Sequence, residues 1–446
     1  MNLFQALAKA MQIPELRKKL AYTVVLLIGY RVLASISIPG ANAKALDALF
    51  SGNSLLGLLN LFSGGGLSKF TIVGLGLNPY INATIIMQLM TVVSVRLKEL
   101  SKEGEQGRKR ITRYTRWLTV PLAALQGYGF MALFTNPSAT AAGAIISNPT
   151  TAQTISIILT LTAGTVIAMW LGELITEYGV GNGVSLIIFV GIIGRLPESI
   201  LTYYQADHSH VVQILIMAVV AVAVTAGIIE VQQAQRKIPV QSAQRVLNPR
   251  TGAAAQGRRN FLPLKVNAAG VIPIIFAISI MAFPTIFANL FGNVGDASSW
   301  VQRASDWIRN NWQPQGPAIP IDVLYNAVYF MLILGFTYFY TAVVFDPNDV
   351  ADNLKKSSTF IPGIRPGRQT AEYLGRVMGR ITLAGALFLA GITVLLPILT
   401  SFATGVSTST LYLGGTSVLI VVGVGLDTMK QIESQLLMRQ YRGFIK

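Results

Sequence analysis

The chain has no cysteine and only two histidines among its 446 residues. Without cysteine there is no disulfide framework and no thiolate chemistry. His208 and His210 share one polar stretch that reads as a loop, and nothing nearby completes a metal-ligand set. Charge is scarce too: 12% of residues are Asp, Glu, Lys or Arg, against about 25% in a soluble globular domain. A chain this poor in charge, 52% hydrophobic and with a mean hydropathy of +0.54, is built for burial in lipid rather than for one water-surrounded core. Acidic residues are the scarcer sign, 19 against 35 Lys and Arg, which leaves a net charge of +16.

Long apolar runs, by contrast, are plentiful. A spanning helix needs about 20 mostly apolar residues. Ten candidates lie near 20–38, 72–94, 117–134, 154–174, 183–203, 211–230, 268–290, 321–345, 381–400 and 411–429. The second and seventh are weakened by Gly and Pro, and the fifth is interrupted by Arg195 and Pro197. Met1 to Lys19 is amphipathic and mildly basic. The run that follows, "LAYTVVLLIGYRVLASISI", has no small-residue cleavage pattern and reads as a retained first span, not a signal peptide. With ten spans, both termini share a side with every even-numbered loop. That side carries 29 Lys and Arg, and the opposite loops carry four: Lys44, Lys69, Arg303 and Arg309. The positive-inside rule then makes both termini cytoplasmic and accounts for the net charge without nucleic acid.

Two basic loops are longer than topology demands. They lie within 231–267 and 346–380. The first carries Arg236, Lys237, Arg245, Arg250, Arg258 and Arg259; the second carries Lys355, Lys356, Arg365 and Arg368. Such loops suit an acidic partner. On charge alone, docking and plain topology stand level.

The chain also repeats itself faintly. Span two opens "LGLNPYINATII" and span seven opens around "VNAAGVIPIIFAI", each the second member of a five-helix half. Helices broken by Gly or Pro at matching places in two halves point to a central site between them. Because five is odd, the second half is inverted relative to the first. Those broken helices also admit a secondary transporter for a small solute. A coupled transporter needs ionisable groups at mid-membrane. Glu173, Arg195, Glu230 and Asp427 fall at span ends. Arg31 lies deeper, with a stem long enough to snorkel outward. "GVGLD" supplies one aspartate where an intramembrane aspartyl protease needs two, and no Ser/His or Ser/Lys pair lies within the spans, so no enzyme and no cofactor are expected. "GGTSVLI" and "SGGGLSKF" lack the P-loop pattern, so energy must come from outside the chain.

What the spans do hold is branched aliphatics at helical spacing. Ile81 and Ile85 share one helix face, as do Val184 and Ile188; Ile275 follows the Pro273 break, and Ile420 follows "GGTSVL". Each residue by itself is explained by ordinary helix packing. Taken together, they also suit a collar around a pore, which resists water and ions by dewetting yet yields to a bulky chain.

Five stretches, "GLGLNPYINATIIMQL", "YGVGNGVSLIIFVGI", "LPLKVNAAGVIPIIFA", "IPGIRPGRQTAEYL" and "YLGGTSVLIVVGVGLD", resemble in order the SecY family, the central subunit of the bacterial Sec protein-conducting channel (translocon). The resemblance implies an all-α polytopic membrane protein of ten transmembrane helices in two pseudo-symmetric inverted halves. The halves would be 1–205 and 206–430, with a tail at 431–446. It implies passage of unfolded preproteins and sideways release of hydrophobic segments into lipid. It places the pore ring on Ile81, Ile85, Val184, Ile188, Ile275 and Ile420, with valine where the family often has isoleucine.

The resemblance also assigns a plug to about 57–69, including Leu58, Leu59, Leu61 and Phe62. Gly64, Gly65 and Gly66 would serve as its joint, and Gly74 and Gly76 as a second. A lateral gate is expected along spans two, three, seven and eight, with Thr84, Gln88, Gln126 and Asn267 as its polar groups. The implied partners are SecE-like and SecG-like small membrane subunits, a SecA-like ATPase motor, the ribosome, a preprotein with its signal sequence, and membrane lipid. The location implied is the bacterial inner membrane. The resemblance raises the docking reading of the basic loops, and of Arg365 in particular, above topology.

Overall fold

Proline, glycine and polar caps set where the helices begin. The computed structural model describes residues 12–42, 45–46, 50, 60, 63–135, 145–146, 149–206, 211–242, 260–291, 300–312, 321–404 and 415–442. His208 and His210 lie outside the described residues, as do Leu58, Leu59, Leu61, Phe62, Arg245, Arg250, Arg258 and Arg259.

Helix α1 (Pro14–Leu33) and α2 (Asn78–Val93) each carry proline in the first turn, where a missing N–H leaves nothing unpaired. Extended Ser94 then turns the chain by 102° into the polar α3 (Val95–Lys102). Next comes α4 (Glu105–Phe134). A reciprocal Thr150–Gln153 capping box opens α5 (Thr151–Tyr178). The Asn182 side chain accepts from the Ser185 amide at 3.2 Å to open α6 (Gly183–Ile193). The fifth apolar segment breaks at Gly194 and Arg195, and α7 (Leu196–Ala206) follows. The second half contains α8 (Val211–Gln233), β1 (Gln235–Ser242), β2 (Asn260–Lys265), α9 (Ile272–Phe291), α10 (Trp300–Asn311) and α11 (Ile321–Val344). It is completed by α12 (Pro347–Lys356), β3 (Thr359–Phe360), α13 (Arg368–Thr404) and α14 (Gly415–Arg442).

Every one of the ten apolar segments carries a helix. Five helices are long and apolar enough to cross a membrane by length and composition; α2 with α3 makes a sixth if the bent pair is one span, and α6 and the start of α9 are shorter apolar helices. Their outer faces stay apolar and exposed, as suits lipid: Leu215, Val219 and Val222 line one face of α8. Two segments start later than hydropathy suggests. Span two is helical from Asn78, not 72, and span seven from Ile272, not 268. The residues just before α2 form buried turns, and hydropathy does not distinguish a buried turn from a helix: Val73, Leu75 and Leu77 are all within the core. Arg31 also departs from expectation. It does not snorkel outward; its guanidinium turns inward and donates to the carbonyls of Gly64 and Gly194.

The two halves meet along two seams. On one, α9 packs against α2 and α4. On the other, α14 packs against α6. Leu16 and Val180 from the first half share a small core with Ile432 and Leu436 from the second, so the start of α1 and the end of α14 lie together. Glycine permits a close helix approach here: a Cβ on Gly183 would run into the carbonyl of Gly172, so α6 lies almost on the backbone of α5.

The two basic loops, which the sequence presents as separate, are joined by one sheet. β1 pairs antiparallel with β2, with Ile238 opposite Leu262, and with β3, with Gln241 opposite Phe360. Ile238, Val240 and Leu264 from the sheet form a core with Ile361, Leu374, Val377, Met378 and Ile381. The basic face therefore carries a folded platform, not two independent loops.

Candidate functional site

At the centre lies a single apolar cluster. Ile81, Ile85, Ile188, Ile275 and Ile420 are all buried members of it, contributed by α2, α6, α9 and α14. Val184 is partly buried and packs against the same cluster. It also rests over Gly172, where an added Cβ would come within 3.2 Å of its Cγ2. The six aliphatics from the two halves therefore belong to one core. No charged side chain is among the buried residues described.

The backbone places the two halves' contributions in the same way. Gly76 has φ +57 and Gly270 has φ +65, both in the left-handed region that favours glycine. Each lies three residues before the proline that opens a helix, and five before the first aliphatic of the set. The amide of Ile81 donates to Leu77 and that of Ile275 to Val271, so the first helical turn closes on the same offset in both halves.

The segment from Ser63 to Leu77 is a wedge of hydrogen-bonded turns. Asn60 organises its start: its carbonyl accepts from the Gly65 amide at 2.9 Å, and its side-chain oxygen from the Ser68 amide at 2.9 Å. Phe70, itself at φ +47, stacks edge-on to Phe134 with ring centroids 5.3 Å apart. Residues 36–38 flank this segment through Ile38 N–H to Phe70 O and Ile72 N–H to Ile36 O. Of the glycine triplet, Gly64 and Gly65 have positive φ, whereas Gly66 does not. Gly66 is required for room, because a Cβ there would crowd the Thr71 hydroxyl.

The polar residues expected at the gate are not paired across it. The Thr84 hydroxyl donates to Tyr80 of its own helix at 2.8 Å. Gln88 Oε1 and Gln126 Nε2 are buried without a hydrogen-bond partner. Asn267 uses its amide locally: Nδ2 donates to the Gly270 carbonyl at 3.0 Å, which braces the turn before α9. Asn267 also lies beside Gly385 of α13. On the basic face Arg236, Lys237, Lys355, Lys356, Arg365 and Arg368 are exposed. Arg368 pairs with Glu372 at 3.0 Å, and Thr370, buried, donates to the Arg365 carbonyl at 2.9 Å. The tip around Arg365 is thus shaped by the start of α13.

The family model for SecY matches residues 71–429. The chain belongs to the SecY family. SecY relatives from Streptomyces galbus and Halalkalibacterium halodurans, each described as a protein translocase subunit, are 44% and 42% identical to it. The alignments cover 99% of both chains in the first case and 100% in the second. Its fold is similar to that of a protein-conducting channel (TM-score 0.63, 16% identity, 97% of each chain). It is also similar to a SecY structure whose plug domain stabilises the closed state of the translocation channel (TM-score 0.65, 18% identity, 97% of each chain). A third similar fold is Sec61 in a canine ribosome–channel complex (TM-score 0.61, 16% identity, 97% of each chain). The chain is therefore a multi-pass membrane protein of the SecY fold.

Three features of this SecY chain escape sequence inspection: the inward turn of Arg31, the buried Tyr30 beside it, and the sheet joining the two loops. The signal for the first was a lone arginine deep in an apolar run. The sheet left its trace in the alternation of buried Ile238 and Val240 with exposed Lys237 and Pro239.

Proposed function

We propose that this chain is the channel-forming subunit of a bacterial protein translocase. It passes unfolded preproteins across the inner membrane and releases hydrophobic segments sideways into lipid. The observation that carries this is the gathering of branched aliphatics from both halves into one buried core that holds no charge among the described residues. A ring of hydrocarbon closes to water and ions yet deforms around a polypeptide. The halves are 1–205 and 206–430, hinged along α6 and α14, with the lateral gate where α9 meets α2 and α4. The stopper is the segment 57–69, whose described stretch 63–69 is a run of hydrogen-bonded turns.

The basic platform faces the cytoplasm, where a motor ATPase or a translating ribosome supplies the energy. Sec61 among the similar structures is bound to a ribosome, which supports this assignment of the basic face. SecE-like and SecG-like subunits complete the assembly. A secondary transporter is disfavoured, because a midplane site with nearby charge is what it requires and the centre is aliphatic instead.

Planar-bilayer recordings test the reading. Deletion of 57–66 is expected to raise resting ion leak, and a stalled secretory chain is expected to crosslink to a probe at position 85 or 275. An unchanged leak together with no crosslink at either position would refute it.

A further inference from the structure

Two residues of α1 grip the chain within the proposed stopper, at Ser63 and Gly64. The Tyr30 hydroxyl, fully buried, donates to the Ser63 carbonyl at 3.2 Å. Arg31 Nη1 donates to the Gly64 carbonyl at 2.9 Å, and its Nη2 to the Gly194 carbonyl at 3.0 Å. Packing matches the bonding. A Cβ on Gly64 would sit 3.1 Å from Gly191 Cα, and one on Gly65 would sit 2.9 Å from Arg195 Cδ. Positive φ at Gly64 and Gly65 lets the chain turn in this slot between α1 and the end of α6.

The charge is carried by the scaffold and shared with the segment. Arg31 lies in the last turn of α1, and its guanidinium reaches the C-cap of α6 at Gly194, a negative helix end. Of these two hydrogen bonds, one goes to the segment and one to the scaffold. When the segment leaves, the cation keeps the Gly194 carbonyl, so opening does not leave the charge wholly without a partner.

We propose that Tyr30 and Arg31 form a latch, as positioning residues, that sets the closed place of the 57–69 stopper against spans one and five. This rests on the stopper reading above. The latch makes release a matter of two carbonyl hydrogen bonds, and so tunes how readily the channel opens.

The lack of native cysteine gives a direct test in the full-length protein. Ser63 is fully buried, so Ser63→Cys reports the position of the segment by its rate of maleimide labelling, with no transport needed. Arg31→Met is expected to raise that rate about tenfold, the scale of one charge-assisted hydrogen bond. Arg31→Lys should restore most of the protection, and Tyr30→Phe should have a smaller effect than Arg31→Met. A second reporter, Ser279→Cys in α9, is buried away from the latch and should stay unlabelled in all variants. If Ser279→Cys also becomes reactive, Arg31 holds the whole fold and the latch idea is overturned. If Ser63→Cys labelling is unchanged in Arg31→Met, it is overturned outright. If labelling rises but resting ion leak does not, the latch stands and the stopper reading falls.

Discussion

Ile81 and Ile275 stand in equivalent places: each closes the first turn of a broken helix five residues after a left-handed glycine, Gly76 in one half and Gly270 in the other. The faint repeat in the sequence is thus a repeated backbone device for aiming one aliphatic from each half at the same core.

Alanine at Gly270 meets no crowding, the nearest atom to its Cβ being Asp427 Oδ2 at 4.0 Å. Its effect is therefore conformational, about 1–2 kcal/mol for a residue held at left-handed φ. Gly270→Ala should lower thermal stability in detergent and raise resting conductance, because the turn that aims Ile275 is strained. A wild-type conductance at reduced stability would separate the turn from the ring.

Gly183→Ala is expected to act more strongly. Its Cβ would meet the Gly172 carbonyl, so α6 must shift and carry Val184 and Ile188 with it. Overpacking of this kind costs roughly 1–3 kcal/mol. Thermal unfolding should show the loss, and bilayer leak should show the displaced aliphatics.

At the proposed gate, Gln88 and Gln126 each bury a polar atom without a partner. An unpaired buried group costs about 1–3 kcal/mol. Gln88→Leu or Gln126→Leu should therefore stabilise the closed form and reduce export of reporters with weakly hydrophobic signals. Asn267→Leu should behave differently, because it releases the brace on Gly270; loss of stability is expected there.

Arg365 is exposed, and its carbonyl rather than its guanidinium is held by Thr370. Arg365→Glu should leave the melting temperature within a degree or two, since exposed substitutions of this kind stay within about 0.5 kcal/mol. It should depress motor-driven preprotein transport several-fold. Reduced transport with a matching loss of stability would argue for a structural role instead.

Much of this was legible in the sequence, and the reasons differ from place to place. Ten spans follow from hydropathy because lipid demands continuous apolar helices. Hydropathy starts spans two and seven a few residues early; before span two, Val73 and Leu77 look helical by composition while lying in turns. Hydropathy also treats any arginine as a candidate for the interface, so the contact between Arg31 and Gly64, 33 residues apart, had no local trace. Residue type alone suggests the polar residues proposed for the gate, but partner choice is tertiary: Thr84 satisfies itself on its own helix and Asn267 on its own turn. The pairing of β1 with β3 brings together stretches more than a hundred residues apart, beyond the reach of a reading by segments.

Helix α13 runs for 37 residues, from beside the arginine tip to Thr404, with one proline, Pro397, in its last turns. At about 1.5 Å per residue it is a rod roughly 55 Å long. Its first turns are packed into the three-stranded platform, so a push delivered there would be carried by continuous helix as far as Pro397. A load on the tip would then be felt along the second half as through a lever rather than a tether.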